Sequence, residues 1–382
     1  MIDINNKPFT KETELKLDIF KRCFREWFPV FLNSKKSTDK VFIYDLFAGN
    51  GTDSNGRWGS PLWFMSEARG DGHKYCKQIS EGDTPHICFA FNEFINRKSE
   101  ELQENINQFL LDCKRSECDL HSCVYKINSN VFFKSDDFKK IAGNAIFKRI
   151  LQNKRYAKFI IIDQYGVKQV TPSIFNELTS SPKTDFIFFI ASSALNRFQR
   201  HPAMKKYFDT NKINFDIKNP RLCHKVVADY YKSLLPKEQE YYIHHFTIKK
   251  GTNYYGLIFG TSHTLGMEKF LKVCWDEDKL AGESNCNEEL DFVKGSLFFD
   301  VNNTNKLTKV KDSLRSQILE GRIDNNKDGM KYVLSQGCLP KVFIEEIMEL
   351  IKNKKVQLLD GYKFNRQSSN IHRVNVYKFK LL

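Results

Sequence analysis

Apolar residues recur at Leu17, Phe20, Phe24, Trp27, Phe28 and Phe31 in TELKLDIFKRCFREWFPVFL. Steps of three and four place them on one face of a helix. After the polar stretch NSKKSTDK the period changes. KVFIYD, HICFAFNE, SCVYKIN, KFIIID and TDFIFFIASS are short runs, apolar almost throughout. Strands buried on both faces of a parallel sheet require that pattern. Between them lie SPLWFMSEA, INRKSEELQENINQFLLDC, FKKIAGNAIFKRILQ and PSIFNELTSS, each with helical spacing. Ser60 and Pro61 open the first of these as an N-cap and first-turn pair. The alternation predicts a doubly wound, Rossmann-like α/β domain. Two aromatic-rich runs about a Gly-Thr-Asn turn, EYYIHHFTIKK and YYGLIFGTS, predict an antiparallel hairpin. TLGMEKFLKVCW follows as a helix. Five parallel strands and the hairpin make seven.

The character changes near residue 301. From there to the end stand sixteen Lys or Arg and eight Asp or Glu, so this tail carries +8. KDGMKYVLSQG and LPKVFIEEIMELIKNKK read as two helices, VQLLDGYKF and RVNVYKFKL as two strands about a polar loop. Helix–turn–helix followed by a ribbon is a winged-helix layout. The expected organisation is an N-terminal amphipathic helix (residues 1–38), a Rossmann-like domain (39–300) with a helical insertion near 195–237, and a basic winged-helix domain (301–382). In the second tail helix Val342, Phe343 or Ile344, Ile347, Met348, Leu350 and Ile351 form the apolar face. Lys341, Glu345, Glu346, Glu349 and Lys352 are left for the exposed one. Three carboxylates repel phosphate, so the helix is not expected to read bases: the module either docks a protein partner through that helix, the favoured choice, or contacts phosphates through Lys354, Lys355, Lys363, Arg366, Arg373, Lys378 and Lys380 of the turn and wing.

Charge sharpens the choice of partner. Sixty Lys or Arg against 46 Asp or Glu leave +14 over 382 residues. That balance suits a polyanion such as nucleic acid. The N-terminus lacks the apolar core of a signal peptide, and no run approaches the roughly 18 apolar residues of a membrane span. A cytoplasmic protein, with no membrane partner and with reduced thiols, is the expectation. Cys23, Cys88, Cys223 and Cys274 sit in apolar contexts and read as core residues. CKRSECDLHSC brings Cys113, Cys118, His121 and Cys123 close in sequence. Its gaps are wider than a Cys-x-x-Cys knuckle, so no metal is assigned.

The candidate chemistry lies at strand ends. YDLFAGNGTDSNGRWGSPLW places Asp45 at the end of the first strand, then Gly49 and Gly51 in an acidic-x-x-x-Gly-x-Gly loop. Glycine lets backbone approach a ligand closely. No Gly-Lys-Ser/Thr follows, which excludes a P-loop, and the dinucleotide Gly-x-Gly-x-x-Gly is absent. The loop, with Phe47 inside it, matches S-adenosylmethionine (SAM) methyltransferases. Glu93 ends the second strand, where a carboxylate accepts ribose hydroxyls. Asn130, placed after the third strand, is a candidate for the adenine edge. The fourth strand ends in IIIDQYG. Asp163 and Tyr165 fit the acid and aromatic of an Asp-Pro-Pro-Tyr amine site, and Gln164 stands where proline would.

With those segments placed, the chain resembles the three-Cys-motif partner (TcmP) family. The likeness runs through TELKLDIFKRCFREWF, YDLFAGNGTDSNGRWGSPL, FNEF, IIDQYG and LNRF and continues into the tail. It implies a SAM-dependent methyltransferase fold, a protein partner from the same system and a place in bacterial anti-phage defence. It carries over Lys16, Asp45, Gly49, Gly51, Ser60, Glu93, Asp163 and Arg197. Gln164 departs from the family's Asp-Pro-Phe/Tyr-Gly. The leading expectation is methyl transfer to nucleic acid, with Lys16, Arg197 and Arg200 on the substrate. A non-catalytic SAM- or nucleotide-binding assembly subunit and a winged-helix DNA-binding regulator are the alternatives.

Overall fold

The strands of the central sheet are β1 (Lys40–Asp45), β2 (His86–Asn92), β3 (Val131–Lys134), β4 (Tyr156–Ile162), β5 (Thr184–Ile190), β6 (Tyr242–Lys250) and β7 (Asn253–Thr261). Their order is β3-β2-β1-β4-β5-β7-β6. The first five are parallel, and β7 runs antiparallel to both β5 and β6. This computed structural model describes residues 7–113, 123–164, 166–191, 207–209, 223–286, 306–359, 371 and 376–382. No helix among them is long and apolar enough to cross a membrane.

The helices before the tail are α1 (Lys11–Leu32), α2 (Ser60–Arg69), α3 (Lys74–Ser80), α4 (Asn96–Leu111), α5 (Phe138–Gly143), α6 (Ala145–Gln152), α7 (Pro172–Ser180), α8 (Cys223–Ser233) and α9 (Thr264–Glu277). They divide between the two faces of the sheet. One core joins Phe20, Phe24 and Phe28 of α1 with Phe64, Leu102, Phe159 and Phe270. The other joins Phe138, Phe147, Phe175 and Tyr231 with Tyr44, Ile160 and Phe188. The stripe expected of α1 is buried as predicted, apart from partly covered Phe31. Trp27 Nε1 donates to Asp185 of β5 at 2.6 Å, and Arg25 forks onto Glu67 of α2 at 2.6 and 2.7 Å. The helix is therefore fixed in rotation and along its axis.

Three local expectations are corrected. The third strand is VFFK, not SCVYKIN. Tyr125 turns inward to donate to Ala68 O at 2.7 Å, and residues 126–130 fold into a turn with Asn128 at φ 65°. Asparagine tolerates that left-handed conformation. FKKIAGNAIFKRILQ is two helices, because Asn144 breaks the run and caps α6, accepting from Ile146 N and Phe147 N. Ser60 is the first residue of α2 rather than its cap; Gly59 holds that position.

The tail begins with a helix that the sequence pattern did not reveal, α10 (Lys306–Leu319). The expected pair follows as α11 (Asn326–Ser335) and α12 (Lys341–Lys352), then β8 (Val356–Leu358) pairs antiparallel with β9 (Phe379–Leu381). Val310, Leu314, Val333, Phe343 and Ile347 join the same core as α1. Trp275 of α9 donates to Gly337 O at 3.0 Å. The acidic face of α12 is not left open. Glu346 is fully buried against Arg315 of α10, at 2.6 Å, while Glu345 meets Lys311 at 3.0 Å and Glu349 meets Arg315 at 3.4 Å. Met348, expected inside, is half exposed. The unforeseen helix explains the first difference, since α10 supplies the cations the carboxylates face; nothing in the structure explains the second. Most of the expected insertion lies outside the described residues; α8 is the helix in its described part.

Candidate active site

In a sheet of this order the succession of strands reverses between β1 and β4, and the crevice at their carboxyl ends is where open α/β sheets bind ligands. The glycine loop leaves β1 there. Gly49 and Gly51 have φ of 63° and 87°, which a side chain adopts only at a cost. A Cβ on Gly51 would stand 2.9 Å from Leu102 Cδ1, so α4 packs directly on the loop. The loop closes on itself: Gly59 N donates to Gly51 O at 2.7 Å, and Asp53 accepts from Asn55 N, Arg57 N and Phe9 N. Asp53 thus ties the segment before α1 to the loop. Its Asp-Ser-Asn-Gly turn was legible as turn chemistry.

Glu93 reaches across from the end of β2. Gly49 N donates to Oε2 at 3.1 Å and Ile95 N to Oε1 at 3.0 Å. Each oxygen keeps a further acceptor position. Beneath it, buried Asn92 donates to Leu46 O and Asp136 O and accepts from Asp136 N. One side chain therefore holds three strand tips in register. Phe94 follows Glu93 and is 58% exposed, while Phe47 packs on Phe138 with ring centroids 5.4 Å apart.

The β4 tip is built differently. Asp163 accepts from Lys16 Nζ at 2.5 Å, and the two side chains are 19% and 14% exposed. Lys16 comes from α1, with its ammonium 4.8 Å from the centroid of Phe189 on β5. Beside this pair, Asp45 is wholly buried; it accepts from Ser60 Oγ at 2.6 Å and from Phe47 N at 3.1 Å. Burial pushes its carboxyl up to about 7, with the Asp163 charge adding to the rise and the Ser60 hydrogen bond opposing it. Gln164 turns inward and is 1% exposed. Its Oε1 accepts from Gln169 N at 2.8 Å, folding the loop after β4, and its Nε2 has no partner among the described residues. A hydrogen bond here shapes the turn that proline stiffens in the related motif.

Of the expected residues, the structure brings together Lys16, Asp45, Ser60 and Asp163 as one cluster and Phe47, Gly49, Gly51 and Glu93 as its neighbour. Asn130 does not join them. It precedes β3 and donates to Ile87 O near the start of β2, at the opposite edge of the sheet. The strand shift described above moved it. The loop that reaches the carboxyl edge there begins with Ser135, which donates to Glu93 O at 2.9 Å, and Asp136. Tyr165, Arg197, Arg200, Cys118, His121, Lys363, Arg366 and Arg373 lie outside the described residues. Cys113 meets His73 at 3.3 Å, and Cys123 donates to Tyr125 O. Asn92, Ser135 and Phe94 were missed. Only FNEF, flanking an acid with a polar and an aromatic residue, gave a signal for two of them.

A SAM fit has specific requirements, and the described residues meet several. Gly49 and Gly51 allow close approach, Glu93 offers acceptors for hydroxyls, and Phe94 offers an exposed ring. Asn50, between the glycines, has a buried Oδ1 with no partner among the described residues.

This is a mixed α/β protein with a seven-stranded sheet and a candidate site at its switch point. No family model matches the chain, and no curated protein matches it. Among solved structures it is similar to methyltransferases. One is Trm1 from Pyrococcus horikoshii in complex with S-adenosyl-L-methionine, at 12% identity over 66% of this chain and 56% of that chain, with a TM-score of 0.35. The chain therefore spans just over half the length of that protein. A second is an O-methyltransferase from Bacillus cereus in complex with SAH, at 13% identity over 68% and 92%, TM-score 0.29. A third is a human methyltransferase 10 domain containing protein, at 8% identity over 64% and 82%, TM-score 0.30.

Proposed function

We propose that the chain is a SAM-dependent methyltransferase acting on nucleic acid. The observation that carries this reading is the bond from Gly49 N to Glu93 across the β1 and β2 tips, beside a second acid, Asp163, on β4. Bound SAM would supply an electrophilic methyl group. Gly49 and Gly51 would admit its backbone-hugging part, and Glu93 would accept its ribose hydroxyls. Asp163 would orient the acceptor, with Lys16 holding the carboxylate in place from α1. The net charge of +14 supports a polyanionic acceptor. TcmP membership, a defence role and a partner protein belong to the same proposal and rest on the sequence resemblance.

The tail is proposed as a winged-helix module distinct from the N-terminal helix and the central domain. Its three helices and ribbon support this, as does the bridge Asn325–Lys378, which adds a third short strand position. With the carboxylates of α12 paired to α10, the lysines of the turn and ribbon, Lys354, Lys355, Lys378 and Lys380, are its groups for phosphate.

Two observations favour a second reading, a SAM-binding assembly subunit without transfer. Lys16 already occupies the carboxylate of Asp163, and Gln164 replaces the motif proline. Calorimetry with SAM tests both; absence of binding at millimolar cofactor sinks them together. If SAM binds, transfer of labelled methyl to DNA, RNA or cell extract supports the first, and its absence from all three supports the second.

A further inference from the structure

A cleft of about 440 Å³ opens between the first turns of α1 and the tip of the β6–β7 hairpin. Lys11, Glu12 and Leu15 line it from the helix, Lys249 and Gly251 from the hairpin, and Asn285 and Cys286 from the segment beyond α9. Because β6 runs parallel to β5, the hairpin tip stands on the same edge of the sheet as Asp45 and Asp163. Leu15 of the lining and Lys16, which binds Asp163, belong to the same helix, so α1 borders both the cleft and the ion pair. Half-buried Phe189 of β5 lies at that pair, and half-buried Tyr255 of β7 lies against Phe189. They stack with centroids 5.4 Å and planes 19° apart, and Lys16 lies against Phe189.

We propose that this cleft is a nucleotide subsite, which holds the part of a single-stranded nucleic acid next to the residue presented at Asp163. The volume falls within the range of about 300–1,000 Å³ that encloses small ligands. Lys11 and Lys249 line it from opposite walls, and Lys250 stands at the rim, bonded to Thr10 Oγ1 at 3.1 Å. These are cations for a phosphodiester. The one carboxylate in the lining, Glu12, is engaged by Thr10 and by its own backbone N–H, with Lys250 and Lys11 nearby. The stacked Phe189–Tyr255 pair supplies aromatic surface beside Lys16, on the strands next to the hairpin's outer wall. Lysines along a path that aromatic rings interrupt are the pattern by which single strands are held, since every base has a face to stack. A base must also leave its duplex stack to reach an acid at a sheet edge. The position assigned to the target rests on the methyltransferase reading; the cleft itself does not.

Fluorescence anisotropy with a short, labelled, mixed-sequence oligonucleotide, as DNA and as RNA, tests the subsite. Lys11→Glu/Lys249→Glu should weaken binding about tenfold or more at ~50 mM salt and lower the salt slope by about 2. Tyr255→Ala should weaken it about 5- to 150-fold. SAM calorimetry on each variant should match the wild type. Unchanged oligonucleotide affinity in both variants overturns the subsite, as does a wild-type protein that binds neither oligonucleotide. Failure of the wild type to bind SAM overturns the methyltransferase reading alone, because the oligonucleotide result stands without it.

Discussion

The two acids at the tips of β2 and β4 are held in opposite ways. Glu93 is met by two backbone N–H groups, one from the loop beside it and one from the residue two places on. Asp163 is met by an ammonium from 147 residues earlier in the chain. The first arrangement forms once two neighbouring strands are paired. The second exists only after α1 has docked across the sheet through Phe20, Phe24 and Trp27. An acid held by backbone is insensitive to side-chain changes elsewhere. The β4 side depends on one helix and on three ionisable groups, Lys16, Asp163 and Asp45.

The sharpest way to break this contrast is at the backbone side. Gly49→Arg should abolish the calorimetric signal of SAM while costing about 1–2 kcal/mol of stability for a left-handed non-glycine residue. A variant that binds SAM like the wild type removes the loop from the pocket. On the other side, Lys16→Met should cost about 2–4 kcal/mol in urea unfolding, because it leaves Asp163 uncompensated next to Asp45. Adding Asp163→Asn should recover most of that loss. A double variant no more stable than the single one would show that the pair is not the source.

Acidity separates the sides further. The folded Asp45 carboxyl, pushed up to about 7, keeps its proton where an unfolded aspartate near 3.8 has lost it. The stability this group contributes is therefore present below about 3.8 and is lost as pH rises through about 7. The expected fall is about 2–4 kcal/mol over that window, and Asp45→Asn should flatten it in urea titrations at stepped pH. An unaltered slope would place the titration elsewhere. The smallest effect belongs to Glu93→Ala, which should weaken SAM binding by about 1.5–3 kcal/mol, one charge-assisted hydrogen bond's worth, with little change in urea midpoint. A large midpoint shift would mean that Glu93 serves the fold first, through Gly49 and Ile95.

Much of this was legible in the chain. Runs such as KVFIYD and KFIIID are too apolar for anything but strands covered on both faces, and their alternation with helices left few topologies. Asp45, Gly49, Gly51 and Glu93 could be placed because each lies within two or three residues of a strand end or turn, where local geometry decides position. Asn130 could not. SCVYKIN has strand composition as good as VFFK, and the choice turned on Tyr125 finding Ala68 O across the protein. Glu346 failed for a related reason: the helix that covers it, α10, has its own stripe of only Val310, Leu314 and Ile318.

By itself, then, the sequence determined most of the elements, the seven-strand pattern and the glycine loop, since backbone propensity and hydrophobic period act over a few residues. Only the tertiary structure decided which charges meet. Lys16 on Asp163, 147 residues apart, and Arg315 on Glu346, 31 apart, depend on docking of elements that are not neighbours in the chain. A side chain's partner is set by what packing brings within hydrogen-bond reach, and no local pattern records that.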